Sequence, residues 1–195
     1  MEMVELFDYP VPVVEADTAV IFCLDADLRI TYCNPAWDRF ALANGGTHLC
    51  RPTPIGISVL DYISGPDKQY FAKQYRRVIG REEPWERDYE CSSANVYRRF
   101  RLRVVPMQKR PGLFVVNSLR VEHPHQLTAC AGIESEYRRP DGFIVMCASC
   151  RRTRRYCPGM DVWDWVPTFV DTFPLRTTHG VCSPCRELYY PDDEQ

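Results

Sequence analysis

Four cysteines near the end of the chain fall into two pairs of the same form. Cys147 and Cys150 bracket Ala-Ser in "FIVMCASCRRTRRYC", and Cys182 and Cys185 bracket Ser-Pro in "HGVCSPCRELYYP", with 31 residues between the pairs. A Cys-x-x-Cys step turns two sulfurs toward one point, and two such knuckles supply the four thiolates at about 2.3 Å that a closed structural zinc site requires. Zinc is therefore the first choice, although iron also accepts four thiolates. The separation exceeds the roughly 15–20 residues of a zinc ribbon. That objection is weak, because loop closure costs only about 0.6 kcal/mol more per doubling of the loop.

Other chemistries fit the pairs less well. Covalent haem attachment needs a histidine directly after the second cysteine, and Arg151 and Arg186 stand there. A dithiol redox centre needs a βαβ setting that is missing here. His179, three residues before Cys182, could replace a ligand; its better role is outside the metal shell, ordering the second knuckle or hydrogen-bonding a thiolate. Cys157-Pro158 is a dipeptide found in haem-responsive regulators. A spare cysteine is the plainer reading, and haem binding through Cys157 is retained as an alternative.

Composition narrows the field. The chain has 195 residues, ten cysteines and a net charge of −2, so no global field recruits nucleic acid or an anionic membrane. "RRTRR" (151–155) suggests nucleic acid, but residues 137–195 hold eight arginines against eight acidic residues. Those arginines are expected to neutralise thiolates or face solvent, and nucleic-acid binding is the weakest function class carried forward. No apolar run approaches the ~20 residues of a membrane span, and the acidic N-terminus "MEMVELFDYPVP" is unlike a secretory signal. The expectation is a cytoplasmic protein with reduced thiols. There is no phosphate loop, nucleophile elbow or paired-carboxylate arrangement, so a non-enzymatic protein is expected.

The elements that must carry these residues follow from periodicity. "TAVIFCLDADLRITYCN" (18–34) reads as a hairpin turning at Asp25-Ala26-Asp27. Asn34 then caps a helix with Pro35 in its first turn, and Trp37, Phe40 and Ala41 share a face. A second helix places Phe71, Tyr75, Val78 and Ile79 together and is expected to stop at Gly80. Strands follow at 85–91, at 98–105, where Phe100, Leu102 and Val104 alternate with Arg99, Arg101 and Arg103, and at 112–121, apolar on both faces. The order is β-β-α-α-β-β-β, an α+β fold with a five-stranded antiparallel sheet covered on one side by helices. In the tail, Asp164 is expected to cap a helix in which Trp165, Phe169, Val170 and Phe173 form an apolar face.

This hairpin, the Asn34-Pro35-Ala36-Trp37 helix start, the "GISVLDYI" turn, the long helix and the three closing strands resemble a PAS domain over about residues 15–122. "DADLRITYCNPAW" is similar to the family's most characteristic stretch. The resemblance implies a sensory, dimerising module that holds haem, flavin, a small metabolite or nothing; the ligand is unknown, since the long helix has no histidine and no Asn-Cys-Arg-Phe motif occurs. Tyr70, Tyr75 and Asn117 could touch a ligand, but aromatics at helical spacing are more often core. The stretch from 137 to 191 resembles a four-cysteine tail of bacterial signalling proteins, with Thr178 for a serine and Ser183-Pro184 displaced from the family pattern.

The expected organisation is an N-terminal segment (1–14) suited to dimerisation, a PAS domain (15–122), a linker (123–136) and a small, zinc-stapled, partly helical tail (137–195). The expected function is sensory signal transduction, with output through another signalling protein and a homodimer formed through the PAS domain. A redox- or haem-responsive thiol sensor is the alternative.

Overall fold

The computed structural model describes residues 9–190. The chain divides into two compact units: one made of 1–63, 68–87 and 101–119, the other of 64–67, 88–100 and 120–195. The N-terminal segment expected to dimerise lies partly outside the described residues, as does the end of the tail beyond Tyr190.

A five-stranded antiparallel sheet has the order β2-β1-β5-β4-β3. Its strands are β1 (Val20–Asp25), β2 (Ile30–Cys33), β3 (Trp85–Glu90), β4 (Val96–Pro106) and β5 (Gly112–Pro124). β5 is central, which explains why Gly112–Val115 are all buried. In β4 the expected alternation holds: Phe100, Leu102 and Val104 are buried and the arginines between them are exposed. The β1–β2 turn is tied by Asp25, whose Oδ1 accepts from the backbone N–H of Asp27 and Arg29, and Leu28 takes a left-handed conformation.

Helix α2 (Pro35–Ala43) starts as its sequence requires, with the Asn34 side chain accepting from Trp37 N. Ala36 and Ala41 are its buried residues, while Trp37 and Phe40 are half-buried. Trp37 meets Phe22 edge-on, so that face of β1 looks toward α2. The intervening residues Ile21 and Cys23 pack instead with Val14 and Phe114. The short helix α1 (Val11–Ala16) therefore covers the opposite face, an element the sequence did not signal. Helix α3 (Pro66–Arg81) runs through Gly80 rather than stopping there. Glu82 ends it by adopting φ 56°, with its N–H on Val78 O.

The tail was expected to be partly helical around a single helix. It also contains a four-stranded sheet of order β8-β7-β6-β9, formed by β6 (Ile144–Cys147), β7 (Thr153–Arg154), β8 (Trp163–Asp164) and β9 (Thr177–Gly180). Three short helices accompany it: α4 (Glu134–Tyr137), α5 (Pro167–Asp171) and α6 (Ser183–Tyr189). Its core is Tyr137, Ile144, Met146, Val166 and Phe169. Asp164 does not cap α5. It lies in β8, where its Oδ2 accepts from the Tyr137 hydroxyl and from Arg155 Nε, and Val166 takes the cap position without a side-chain bond. The expected apolar face is also incomplete, because a five-residue helix cannot present Phe173, which is 49% exposed.

Candidate metal centre

The two cysteine pairs meet because β6 and β9 run parallel, with Met146 opposite His179 and Cys147 opposite Gly180. Each strand leads directly into one knuckle, so the pairing sets the knuckles side by side. A backbone hydrogen bond from Ala148 N to Gly180 O, 2.8 Å, locks them. Gly180 is tightly fitted, since a Cβ there would stand 3.3 Å from Val145 Cγ1.

In the first knuckle Cys147 ends β6, and its N–H bonds to Arg152 O at 2.8 Å. The chain reverses through Arg151, held at φ 63° with its N–H on Cys147 O. In the second, Cys182 is the N-cap of α6 and Cys185 lies in its first turn, where Pro184 needs no N–H partner. Asp161 fastens this end, accepting from Ser183 Oγ and from Trp163 Nε1 at 2.8 Å. The Ser183 bond, against the effect of burial and with help from Trp163, holds the Asp161 carboxyl below its usual range.

All four sulfurs lie within 4.8 Å of one another, and all four residues are buried. Cys150 Sγ and Cys182 Sγ are 3.7 Å apart. A tetrahedron with metal–sulfur bonds of about 2.3 Å has edges of about 3.8 Å, so the separation suits a shared cation. Every cysteine is a free thiol. Cys182 N also donates to Cys147 Sγ at 3.4 Å, an amide contact that favours a thiolate. Four sulfurs this close cannot all ionise by themselves. Cys147 is pushed far down, first by hydrogen bonds with Cys150, Cys182 and Cys185, while Cys150 and Cys185 are pushed far up, first by their bonds with Cys147. A divalent cation at the centre resolves that conflict by neutralising charge on every sulfur at once. Half-buried Trp163, Val181 and Tyr189 pack against the cluster and shield it.

His179 stands apart from this chemistry. It forms no hydrogen bond to a thiolate; its Nε2 is buried without a partner, and its ring meets Phe173 edge-on at 6.2 Å. Burial, and then the Arg151 charge, lower its pKa. Its place in β9 is one of packing: a Cβ at Gly65, where φ is +64°, would stand only 2.7 Å from His179 Cβ. Sequence reasoning missed Asp161 as the carboxylate that braces the second knuckle, and read Asp164 as a cap rather than as the partner of Tyr137 and Arg155. Cys157 lies outside the four-sulfur group.

In the first unit, Tyr75 is buried and meets Trp85 edge-on and Phe71 at a tilt, with Tyr70 meeting the same two rings edge-on. His48 is exposed. Among the described residues no helix is long and apolar enough to cross a membrane.

The PAS-fold family matches residues 14–119. No curated protein matches the chain. Similar solved structures include the PAS domain of the Cronobacter turicensis RpfR quorum-sensing receptor in complex with C12:0 (17% identity, TM-score 0.42, 55% of this chain and 99% of that one). Others are the PAS domain of Bordetella pertussis BvgS (12%, 0.43, 59% and 84%) and that of an HTR-like protein from Haloarcula marismortui (15%, 0.36, 55% and 86%).

Proposed function

The chain belongs to the PAS family, its PAS fold running over residues 14–119, and from that membership we propose a non-enzymatic role in sensory signal transduction. The PAS region (15–122) perceives a ligand, redox state or partner. The tail (137–195) is stapled by one zinc on Cys147, Cys150, Cys182 and Cys185, and output passes to another signalling protein, with the PAS region forming a homodimer. The observation that carries the metal reading is the convergence of four buried sulfurs within 4.8 Å. Zinc bound there would supply charge neutralisation and folding free energy rather than chemistry, since four protein ligands leave no open position. Asp161 bracing α6 and the parallel strands aligning the knuckles set the two cysteine pairs side by side.

Native mass spectrometry of untagged protein tests this reading. One zinc per chain is expected, and less than one tightly bound zinc or iron per chain would overturn the site. An absorption spectrum of protein purified without oxygen separates the readings: a colourless sample supports zinc, whereas visible bands identify iron, haem or flavin.

A further inference from the structure

Helix α3 buries Ala72, Tyr75 and Val78, and along its second half the opposite side is cationic. The exposed residues from 73 to 81 are Lys73, Arg76, Arg77 and Arg81, with Gly80 among them. The one acid of the helix is Asp67, in its first turn. Eight steps of 1.5 Å put Lys73 and Arg81 about 12 Å apart along the axis.

Other arginines of the same unit have a carboxylate close by. Arg51 pairs with Asp38 at 2.8 Å, and Arg101 and Arg103 share Glu86 at 3.0 and 3.2 Å. Among the described residues, the side chains of Lys73, Arg76, Arg77 and Arg81 have neither an ion pair nor a hydrogen-bond partner. They also repel one another. Lys73 and Arg77, like Arg77 and Arg81, stand at i,i+4, and Lys73 and Arg76 at i,i+3, spacings at which like charges destabilise a helix. The negative end of the helix dipole compensates Arg81, but its influence fades within the last turn and does not reach Lys73 or Arg76. The helix by itself gains nothing from this arrangement, and an anion laid along the face relieves the repulsion.

We propose that this face of α3 docks an acidic helix of a partner protein, its carboxylates spaced at i,i+3 and i,i+4 against Lys73, Arg76, Arg77 and Arg81. The proposal rests on the reading that output passes to another signalling protein, and it names the surface that output uses. Arginine's planar fork suits a carboxylate, which accepts from it through both oxygens. Acids close the patch at both ends: Asp61, exposed beside Lys68 at 3.5 Å, precedes it, and exposed Glu82 and Glu83 follow Arg81. About two turns of a partner helix fit between them, whereas a nucleic-acid strand running on along α3 would carry its phosphates onto these acids. No exposed apolar side chain stands among the cations to enter a membrane, which sets this face apart from an interfacial helix.

Binding measured on the full zinc-loaded chain tests the proposal. The probes are a helical peptide with four glutamates on one face, a peptide of the same composition with its glutamates spread around the helix, a short oligothymidylate, and vesicles of equal parts phosphatidylserine and phosphatidylcholine. The one-face peptide should bind 1:1, and more weakly as salt rises from about 50 to 300 mM. Reversing two cations together, Lys73→Glu with Arg77→Glu, turns exposed attractions into repulsions and should weaken binding about tenfold or more. A peptide with lysines in place of the two facing glutamates should bind that variant and not the parent. Arg76→Gln, a milder change on the same face, should weaken binding less, and far-UV circular dichroism with zinc content confirms that each variant is folded. No saturable binding of the one-face peptide up to about 1 mM overturns the proposal. So does equal binding of the spread peptide, tighter binding of the oligothymidylate or the vesicles, or undiminished binding in the folded double variant. Self-association abolished by the same reversal makes a second copy the occupant and overturns it too. The output reading is judged separately. A signalling protein that co-purifies equally with parent and double variant retains that reading and overturns α3 as its surface. Peptide binding with no co-purifying signalling protein retains the surface and overturns the output reading.

Discussion

Replacing Asn34 by alanine should be the most damaging small change in the PAS unit. Asn34 is 0% exposed, and its side chain joins three segments, α1, β1 and α2. Its Oδ1 accepts from Ile21 N at 3.0 Å and Trp37 N at 3.3 Å, and its Nδ2 donates to Val14 O at 3.2 Å and Ala19 O at 2.9 Å. Trp37 N keeps a backbone bond to Asn34 O, so the alanine variant orphans three groups: Ile21 N–H and the Val14 and Ala19 carbonyls. A buried orphan costs about 1–3 kcal/mol, and loss of a cap adds about 1 kcal/mol. The low end for all three gives a loss of about 4 kcal/mol, a large share of the 5–15 kcal/mol that typically holds a domain. Asn34→Asp keeps the shape and the cap acceptor but turns a second acceptor toward two carbonyls. That raises the folded-state pKa of the new carboxyl, so stability present below its unfolded value of about 4 should drain away as pH rises from there through the higher folded value. Urea unfolding followed by far-UV circular dichroism and by fluorescence, with Trp37 anchored through Nε1 on Leu49 O, measures both variants. A loss under about 1 kcal/mol in Asn34→Ala would refute the reasoning, as would an Asn34→Asp variant equal to the parent at neutral pH.

Three further tests follow from the same geometry. Cys182→Ser should abolish stoichiometric zinc and melt the tail sheet while the PAS sheet persists, read by metal analysis and hydrogen exchange; retained zinc, or joint loss of both sheets, refutes the assignment. Burial pushes the Cys23 and Cys33 thiols up to about 12, with Arg110 and Arg51 respectively opposing it. At about pH 8 only some 10⁻⁴ of each is thiolate, so iodoacetamide should modify them about a thousandfold more slowly than a free cysteine; rates within tenfold of a free cysteine would contradict their burial. Burial lowers the His125 pKa, against a hydrogen bond with the Ser93 backbone and with help from His123 and Arg152. Its folded pKa lies below its unfolded one, so its contribution is full above the unfolded value of about 6.5 and is lost as pH falls from there through the lower folded value. His125→Phe retains a ring against Trp165, 4.0 Å away by centroid, and should reduce the acid-side decline of the urea midpoint; an unchanged decline removes His125 as its cause.

What was legible in the residues, and what was not, divides along a physical line. Phe100, Leu102 and Val104 against three arginines could be read because a sheet with one dry face imposes a period of two on its own strand. Asn34-Pro35 could be read because a helix start is satisfied within four residues. The two-residue strands β7 and β8 carry no period at all, and the parallel pairing of β6 with β9 joins residues 33 apart. Asp164 looked like a cap because only its local neighbours were visible; its real partners, Tyr137 and Arg155, come from registers that the tail sheet sets. Gly80 looked like a stop for the same reason, although Glu82 could take the left-handed conformation two residues later. Cysteine is the exception among long-range partners. A Cys-x-x-Cys pair aims two sulfurs at one point by local geometry alone, so two pairs announce a meeting place without the path between them. The carboxylates around that place announce nothing, since Asp161 and Asp164 serve equally well on any wet surface until the fold brings Ser183 to one and the antiparallel β7–β8 pair brings Arg155 to the other. The sulfurs of such a tail are therefore open to sequence reading, while the partners of its carboxylates are products of register.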